Sequence, residues 1–253
     1  MQITSCGMTD VGRRRSHNED NFLVNDELQL FIVCDGMGGH NGGEVASAIA
    51  VHAIEEAFEE SFNKNKLADQ DSPFPEDLAR ENLRFAVLLA GRRIYEAAQA
   101  DRSFKGMGTT CVALFVLRNN AYIGHVGDSR CYMLRDQEIT QITEDHSWVN
   151  EQIQAGLLTE KEGRNHKLKN VITRSLGFNE EVEVDILMRA LRNGDKILMC
   201  SDGLSNLVEA EEMKDHLMRY SPQAAARQLI NLACERGGDD NITVLILQID
   251  NGV

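Results

Sequence analysis

Four aspartates stand at the boundaries of apolar runs, and that placement is where the sequence could do chemistry. The run Phe31-Ile32-Val33-Cys34 leads straight into Asp35 and the glycine-rich turn Gly36-Met37-Gly38-Gly39-His40. The arrangement recurs at Gly127-Asp128-Ser129-Arg130 and Ser201-Asp202-Gly203, and Asp239-Asp240-Asn241 stands just before the last apolar run. Short apolar runs bounded by turn residues read as buried strands, so each acid is delivered to the rim of a sheet. An aspartate in a turn is most often a turn former or helix cap; here it is the repetition that points further. Carboxylates gathered at one rim repel one another unless a cation sits among them. The candidate ligands are all oxygen: Asp35, the Gly36 carbonyl, Asp128, Asp202 and Asp240, with Glu19 and Asp20 contributing through bound water. Such a set suits a hard divalent cation, Mg²⁺ or Mn²⁺.

The elements that must position these acids follow from periodicity. Residues 3–6 read as a first strand closed by a turn at Gly7. Val45, Ala46, Ile49, Ala50, Ala53, Ile54, Ala57 and Phe58 recur at helical spacing and predict a helix over residues 43–62. Polar residues 63–75 read as an exposed loop. A second helix runs to residue 100, with Leu83, Ala86, Val87, Ala90, Ile94 and Ala97 inward. Strands are predicted over 108–116 and 121–126, joined at Asn119-Asn120, and over 131–134 and 138–142, joined across Arg135-Asp136-Gln137. Residues 147–170 have no strong period and read as a flap beside the site. Strands at 182–188 and 196–200, helices at 209–220 and 222–236, and a central strand at 242–249 complete the chain. Hairpins interleaved with helix pairs make the class α+β.

Composition removes several alternatives. The 253-residue chain carries a net charge of −14, which disfavours nucleic acid and anionic membrane as partners. There is no basic-then-apolar leader and no run near ~18 apolar residues, so the expected location is cytoplasmic, away from membrane. The six cysteines form no CxxC pair; buried free thiols in a reducing compartment are expected rather than a zinc site. The turn after Asp35 is not a dinucleotide fingerprint. Gly36-x-Gly38-x-x-Asn41 lacks the last glycine, and the aspartate would repel a pyrophosphate.

Seven blocks in order carry a resemblance: Arg15-Ser16-His17-Asn18-Glu19-Asp20, the Asp35 turn, Gly106-Met107-Gly108-Thr109-Thr110, and Gly124-His125-Val126-Gly127-Asp128-Ser129-Arg130. Val171-Ile172-Thr173-Arg174-Ser175-Leu176-Gly177, Ser201-Asp202-Gly203-Leu204 and the block from Gly238 through Asp240 to Val244 follow. Together they resemble the metal-dependent protein phosphatase 2C family in its compact bacterial form, over nearly the whole chain. The resemblance implies one domain, residues 1–253, built as an αββα sandwich of two mainly antiparallel sheets flanked by helix pairs. It implies a binuclear Mn²⁺/Mg²⁺ centre, the cations about 3.5–4 Å apart, that activates water for hydrolysis of phosphoserine and phosphothreonine. In it Asp35 matches the bridging acid and Gly36 offers its carbonyl to the second cation. Asp202 and Asp240 match ligands of the first, Glu19 and Asp20 acids of the second or its waters, and Asp128 with Asp202 a third, weaker site. Arg15 matches the phosphate-gripping arginine. Implied partners are phosphorylated proteins and an opposing Ser/Thr kinase, with the chain as a monomer. Met37 stands where eukaryotic relatives carry the histidine proposed as general acid; His40 is differently placed, and His125 and His146 read as structural. A catalytically silent phosphoprotein-binding relative is the alternative, but none of the matched acids is missing.

Overall fold

The computed structural model describes residues 1–38, 42–66 and 76–250. In chain order the strands and α-helices are β1 (Gln2–Asp10), β2 (Asp20–Asn25), β3 (Leu30–Met37), α1 (Gly42–Lys66), α2 (Glu76–Ala100), β4 (Gly108–Thr109), β5 (Cys111–Leu117), β6 (Asn120–Val126), β7 (Arg130–Arg135) and β8 (Glu138–Gln141). Then come α3 (Trp148–Gln154), α4 (Glu160–Arg164), β9 (Asp185–Ala190), β10 (Lys196–Cys200), α5 (Asp202–Ser205), α6 (Ala210–Arg219), α7 (Pro222–Glu235) and β11 (Ile242–Asp250). One sheet has the order β1-β11-β10-β7-β8; the other runs β2-β3-β5-β6-β9, with β4 paired to β3. The paired strands are antiparallel throughout.

Two-sided burial explains why the strands read as continuous apolar runs rather than as alternations. In β3, Leu30, Ile32 and Cys34 pack under α1 and α2, while Phe31 and Val33 face the other sheet. In β11, Ile242, Val244 and Ile246 lie against α6 and α7, and Leu245, Leu247 and Ile249 face inward between the sheets. Three apolar layers therefore separate four layers of structure, helices, sheet, sheet, helices, as in the αββα arrangement expected.

Several local expectations need correction. The first strand does not stop at Cys6: β1 continues through Gly7 to Asp10, paired along its length with β11. Gly7 serves close packing, because a Cβ there would lie 2.4 Å from the Phe22 ring. Helix α1 extends past residue 62 to Lys66; the rest of the predicted 63–75 loop lies outside the described residues. The β5–β6 turn falls on Arg118-Asn119, one residue early, with Arg118 at φ +56°. Strand β9 begins at Asp185 rather than 182, although Val182 still packs on the core. The segment 147–170 contains two short helices. Ser147 caps α3, and Thr159 with Glu162 forms a capping box on α4, a signal present in the sequence. All six cysteines are free, and all but the partly exposed Cys6 are buried. Among the described residues no helix is long and apolar enough to cross a membrane.

Candidate metal centre

The acids meet where one end of each sheet opens between the layers. By strand alternation Asp35 shares the face of Phe31 and Val33, the face turned toward the second sheet, but lies beyond the last of them. Asp128 follows β6, Asp202 follows β10, Asp240 precedes β11, and Asp20 opens β2 directly opposite Asp35. A cavity of about 250 Å³ is lined by Arg15, Glu19, Asp35, Gly36, Asp128, Asp202 and Asp240. Met37, Gly38, Thr110, Asn170 and Ile172 complete its wall. Of the candidate ligands, Asp20 alone stands behind this wall. It is buried, and its Oδ2 accepts from the hydroxyls of Ser201 at 2.8 Å and Thr243 at 2.6 Å, pinning one sheet to the other.

Backbone geometry holds Asp35 closely. The Asp35 amide donates to Thr110 Oγ1 at 2.9 Å, and the Asp35 carbonyl accepts from the Thr110 amide at 2.9 Å. Thr110 Oγ1 is also 2.8 Å from Ser129 Oγ, so the Asp35 strand and the Asp128 turn share a hydroxyl pair. Gly36 is squeezed between the start of α1 and the Glu19 backbone: a Cβ there would lie 2.1 Å from the Gly43 carbonyl oxygen. Its N–H donates to the Glu19 carbonyl at 3.1 Å. Asn241 carries Glu19 on its side-chain oxygen at 2.8 Å and donates to the carbonyls of Val11 and His17. Behind Asp128, Arg130 grips Asp145 through two nitrogens, with contacts of 2.6–3.0 Å.

Charge in the cavity is unbalanced. Burial pushes the Asp35 carboxyl well above the ordinary carboxylate range, and Asp20, Asp202, Asp128 and Asp240 push it further. Burial raises Asp128 to about 8, with Asp202 and Asp145 adding to it and Arg130 opposing. Asp20 rises to about 7 through burial, against the hydroxyls of Thr243 and Ser201. Asp202 is raised by burial and by Asp240, and Glu19 by burial. Among the described residues of the wall Arg15 is the only base, with Nη2 2.7 Å from Asp240 Oδ2. Glu19 Oε1, Asp20 Oδ1 and Asp202 Oδ1 are buried and take no hydrogen bond. Orphaned carboxylate oxygens around an acid-lined cavity are what a hard divalent cation satisfies, so these residues fit Mn²⁺ or Mg²⁺.

No histidine lines the cavity among the described residues. His17 is exposed, His125 and His146 are buried behind the Asp128 turn, and His40 lies outside the described residues. Sequence reasoning did not find Asn170 and Ile172 as wall residues, the Ser201–Thr243 support of Asp20, or the Arg130–Asp145 pair. Single contacts between residues at such separations leave no periodic trace.

Comparison with known proteins finds relatives along nearly the whole chain. A family model described as Protein phosphatase 2C matches residues 11–234. The serine/threonine phosphatase stp of Listeria welshimeri is 37% identical over 244 residues, covering 95% of this chain and 93% of that protein. The Mycobacterium tuberculosis serine/threonine phosphatase PstP/Ppp superposes with a TM-score of 0.88 at 34% identity, over 98% of this chain and 99% of the other. The catalytic domain of PstP in complex with two manganese ions superposes with a TM-score of 0.85 at 34% identity, over the same shares of each chain.

Proposed function

The chain belongs to the protein phosphatase 2C family and is a metal-dependent serine/threonine phosphoprotein phosphatase, and we propose that the acid-lined cavity between its sheets is where the phosphate is hydrolysed. The observation that carries this is the convergence of Glu19, Asp35, Asp128, Asp202 and Asp240 on one wall, with buried carboxylate oxygens there lacking any protein partner. In this reading Asp35 would be shared by two cations, with Asp202 and Asp240 helping to hold the first. The Gly36 carbonyl and Glu19 would help to hold the second, and Asp20 would support its surroundings from behind. Asp128 and Asp202 would hold a third, weaker ion. Bound there, the cations would lower the pKa of water toward neutrality and set positive charge against the phosphoryl oxygens.

The chain's own groups do the rest. Arg15 sits half-exposed at the mouth, where its guanidinium can leave Asp240 for a phosphate and bind it by paired hydrogen bonds. Met37 and Ile172 present apolar walls beside the carboxylates. With Met37 after the Asp-Gly pair, no described wall residue is an imidazole that could protonate the leaving alkoxide. The substrates in this reading are phosphoserine and phosphothreonine of proteins phosphorylated by a Ser/Thr kinase. The protein acts as a cytoplasmic monomer in signalling.

The direct test is hydrolysis of p-nitrophenyl phosphate and of a phosphothreonine peptide. Turnover is expected only with Mn²⁺ or Mg²⁺ and should vanish on chelation; turnover that survives chelation rules the site out. A second expectation concerns Arg15. Charge-assisted hydrogen bonds of this kind contribute about 1.5–3 kcal/mol, so Arg15→Ala should raise KM for the phosphopeptide by roughly 10-fold or more with a smaller change in kcat. Its Mn²⁺ requirement should not rise, because a cation beside Asp240 has been removed. An unchanged KM takes Arg15 out of the phosphate role.

A further inference from the structure

His146 joins two parts of the cavity that the chain separates. Its amide donates to the Gly127 carbonyl at 2.8 Å, and its Nδ1 accepts from the Gly127 amide at 3.0 Å. One residue thus engages both backbone groups of Gly127, which turns the chain into Asp128 at φ +107°. That turn has no room to shift toward β5, since a Cβ on Gly127 would lie 2.6 Å from Thr110 Cγ2. On its other side the His146 carbonyl accepts from the Thr173 amide at 2.8 Å. The next rungs, Trp148 amide to Val171 carbonyl at 2.8 Å and the Ser147–Ile172 bridge, close the neck of the segment containing α3 and α4. Asn170 and Ile172, at that neck, are wall residues of the cavity.

The ring's tautomer follows from these contacts. Because Nδ1 accepts, the proton sits on Nε2, which points at Asp185 Oδ2 at 3.2 Å. Arg174 holds Asp185 Oδ1 at 3.1 Å and reaches Glu183 at 3.0 Å, locking the carboxylate that orients the ring. His125, His146 and Asp185 bring one possible ligand atom each within 4.8 Å of one another, and His125 Nδ1 is buried without a hydrogen bond. A cation does not suit this cluster. His146 Nε2 carries the proton, and the Arg174 guanidinium stands 3.3 Å from it. His146, Asp185 and Arg174 form a hydrogen-bonded brace.

We propose that His146 is a positioning residue that fixes Asp128 and the Asn170–Ile172 wall as one unit. It thereby couples occupancy of the third, weaker cation position to the shape of the substrate wall. This rests on the reading of Asp128 as a cation-binding acid.

The test compares His146→Ala, His146→Asn and Asp128→Asn in the full chain, measuring the Mn²⁺ concentration for half-maximal activity, KM for a phosphothreonine peptide, and thermal stability. Loss of a group that orients a metal acid raises the metal requirement by roughly 10-fold or more. His146→Ala should do this and raise KM by several-fold. His146→Asn, whose Oδ1 can accept from the Gly127 amide, should recover most of both. Asp128→Asn should raise the Mn²⁺ requirement and, through the same coupling, raise KM, though by a smaller factor than His146→Ala. If Asp128→Asn leaves the requirement unmoved, the reading of Asp128 fails, and the coupling proposed here fails with it. If Asp128→Asn moves it and His146→Ala does not, the reading of Asp128 stands and the proposal is overturned. His146→Asn as impaired as His146→Ala also overturns it, since a merely space-filling role would not be rescued by an acceptor. Should His146→Ala not fold, Asp185→Ala frees the Nε2 side of the ring; a raised Mn²⁺ requirement supports the proposal and an unchanged one overturns it.

Discussion

Asp35→Asn is expected to lower kcat by at least ~10³-fold, about 4 kcal/mol of barrier, while the protein folds as before. Nothing in the backbone arrangement at this position needs the carboxylate. The amide and carbonyl of Asp35 are held by Thr110, and Gly36 is held by Glu19. The side chain is different, because it faces the other acids of the cavity and is the one most pressed by them. Asparagine keeps the shape but offers one weaker oxygen donor where a bridging carboxylate offers two charged ones. Calorimetry should find fewer or weaker Mn²⁺ ions bound. In chelator the variant should melt no lower than the parent, because one charge of a mutually repelling set is gone. Turnover within a few-fold of the parent would remove Asp35 from the bridging role.

How much of this was legible in the sequence depends on what left a local signature. The acids were, because each closes or opens a run of residues buried on both faces, and an apolar run stopping at a carboxylate is conspicuous. The helix faces of Ala46, Ala50 and Ile54 and of Leu83, Val87 and Ile94 were legible for the same reason, since every third or fourth residue is fully buried. Gly7 misled because a glycine within a strand and a glycine at a turn look alike until Phe22, fifteen residues on, is seen lying over it. The brace at His146 was read only as structural. Its partners Gly127, Thr173 and Asp185 lie on separate elements, and hydrogen bonds between such elements impose no spacing. For the same reason the place of Asp20 behind the wall, which depends on Ser201 and Thr243 from the other sheet, left no mark in its block.

The concentration of acids has a consequence for stability that separates a cation cage from a merely acidic pocket. Asp20 and Asp128 hold their protons up to about 7 and about 8, and Asp35 and Asp202 are raised too, all with burial as the main cause. In the unfolded chain these groups titrate near ~3.9. A group that binds its proton more tightly when folded contributes stability that is fully present below the unfolded value. That contribution is lost as pH rises through the folded value. In chelator the unfolding free energy should therefore fall between pH 5.5 and 8.5. At about 1.4 kcal/mol per tenfold change in proton affinity, and allowing for mutual coupling, the fall is roughly 2–5 kcal/mol, a large part of an ordinary domain's 5–15 kcal/mol. Saturating Mn²⁺ should flatten or invert the trend, because the cation binds the deprotonated acids of the folded state and is bound more tightly as protons leave. Asp35→Asn should weaken the pH slope in chelator and blunt the rescue by Mn²⁺. Urea titrations with and without Mn²⁺ measure all of these quantities. A chelated protein whose stability is flat or rises over that interval would mean the acids are already neutralised by the chain itself, leaving no charge for a cation to offset.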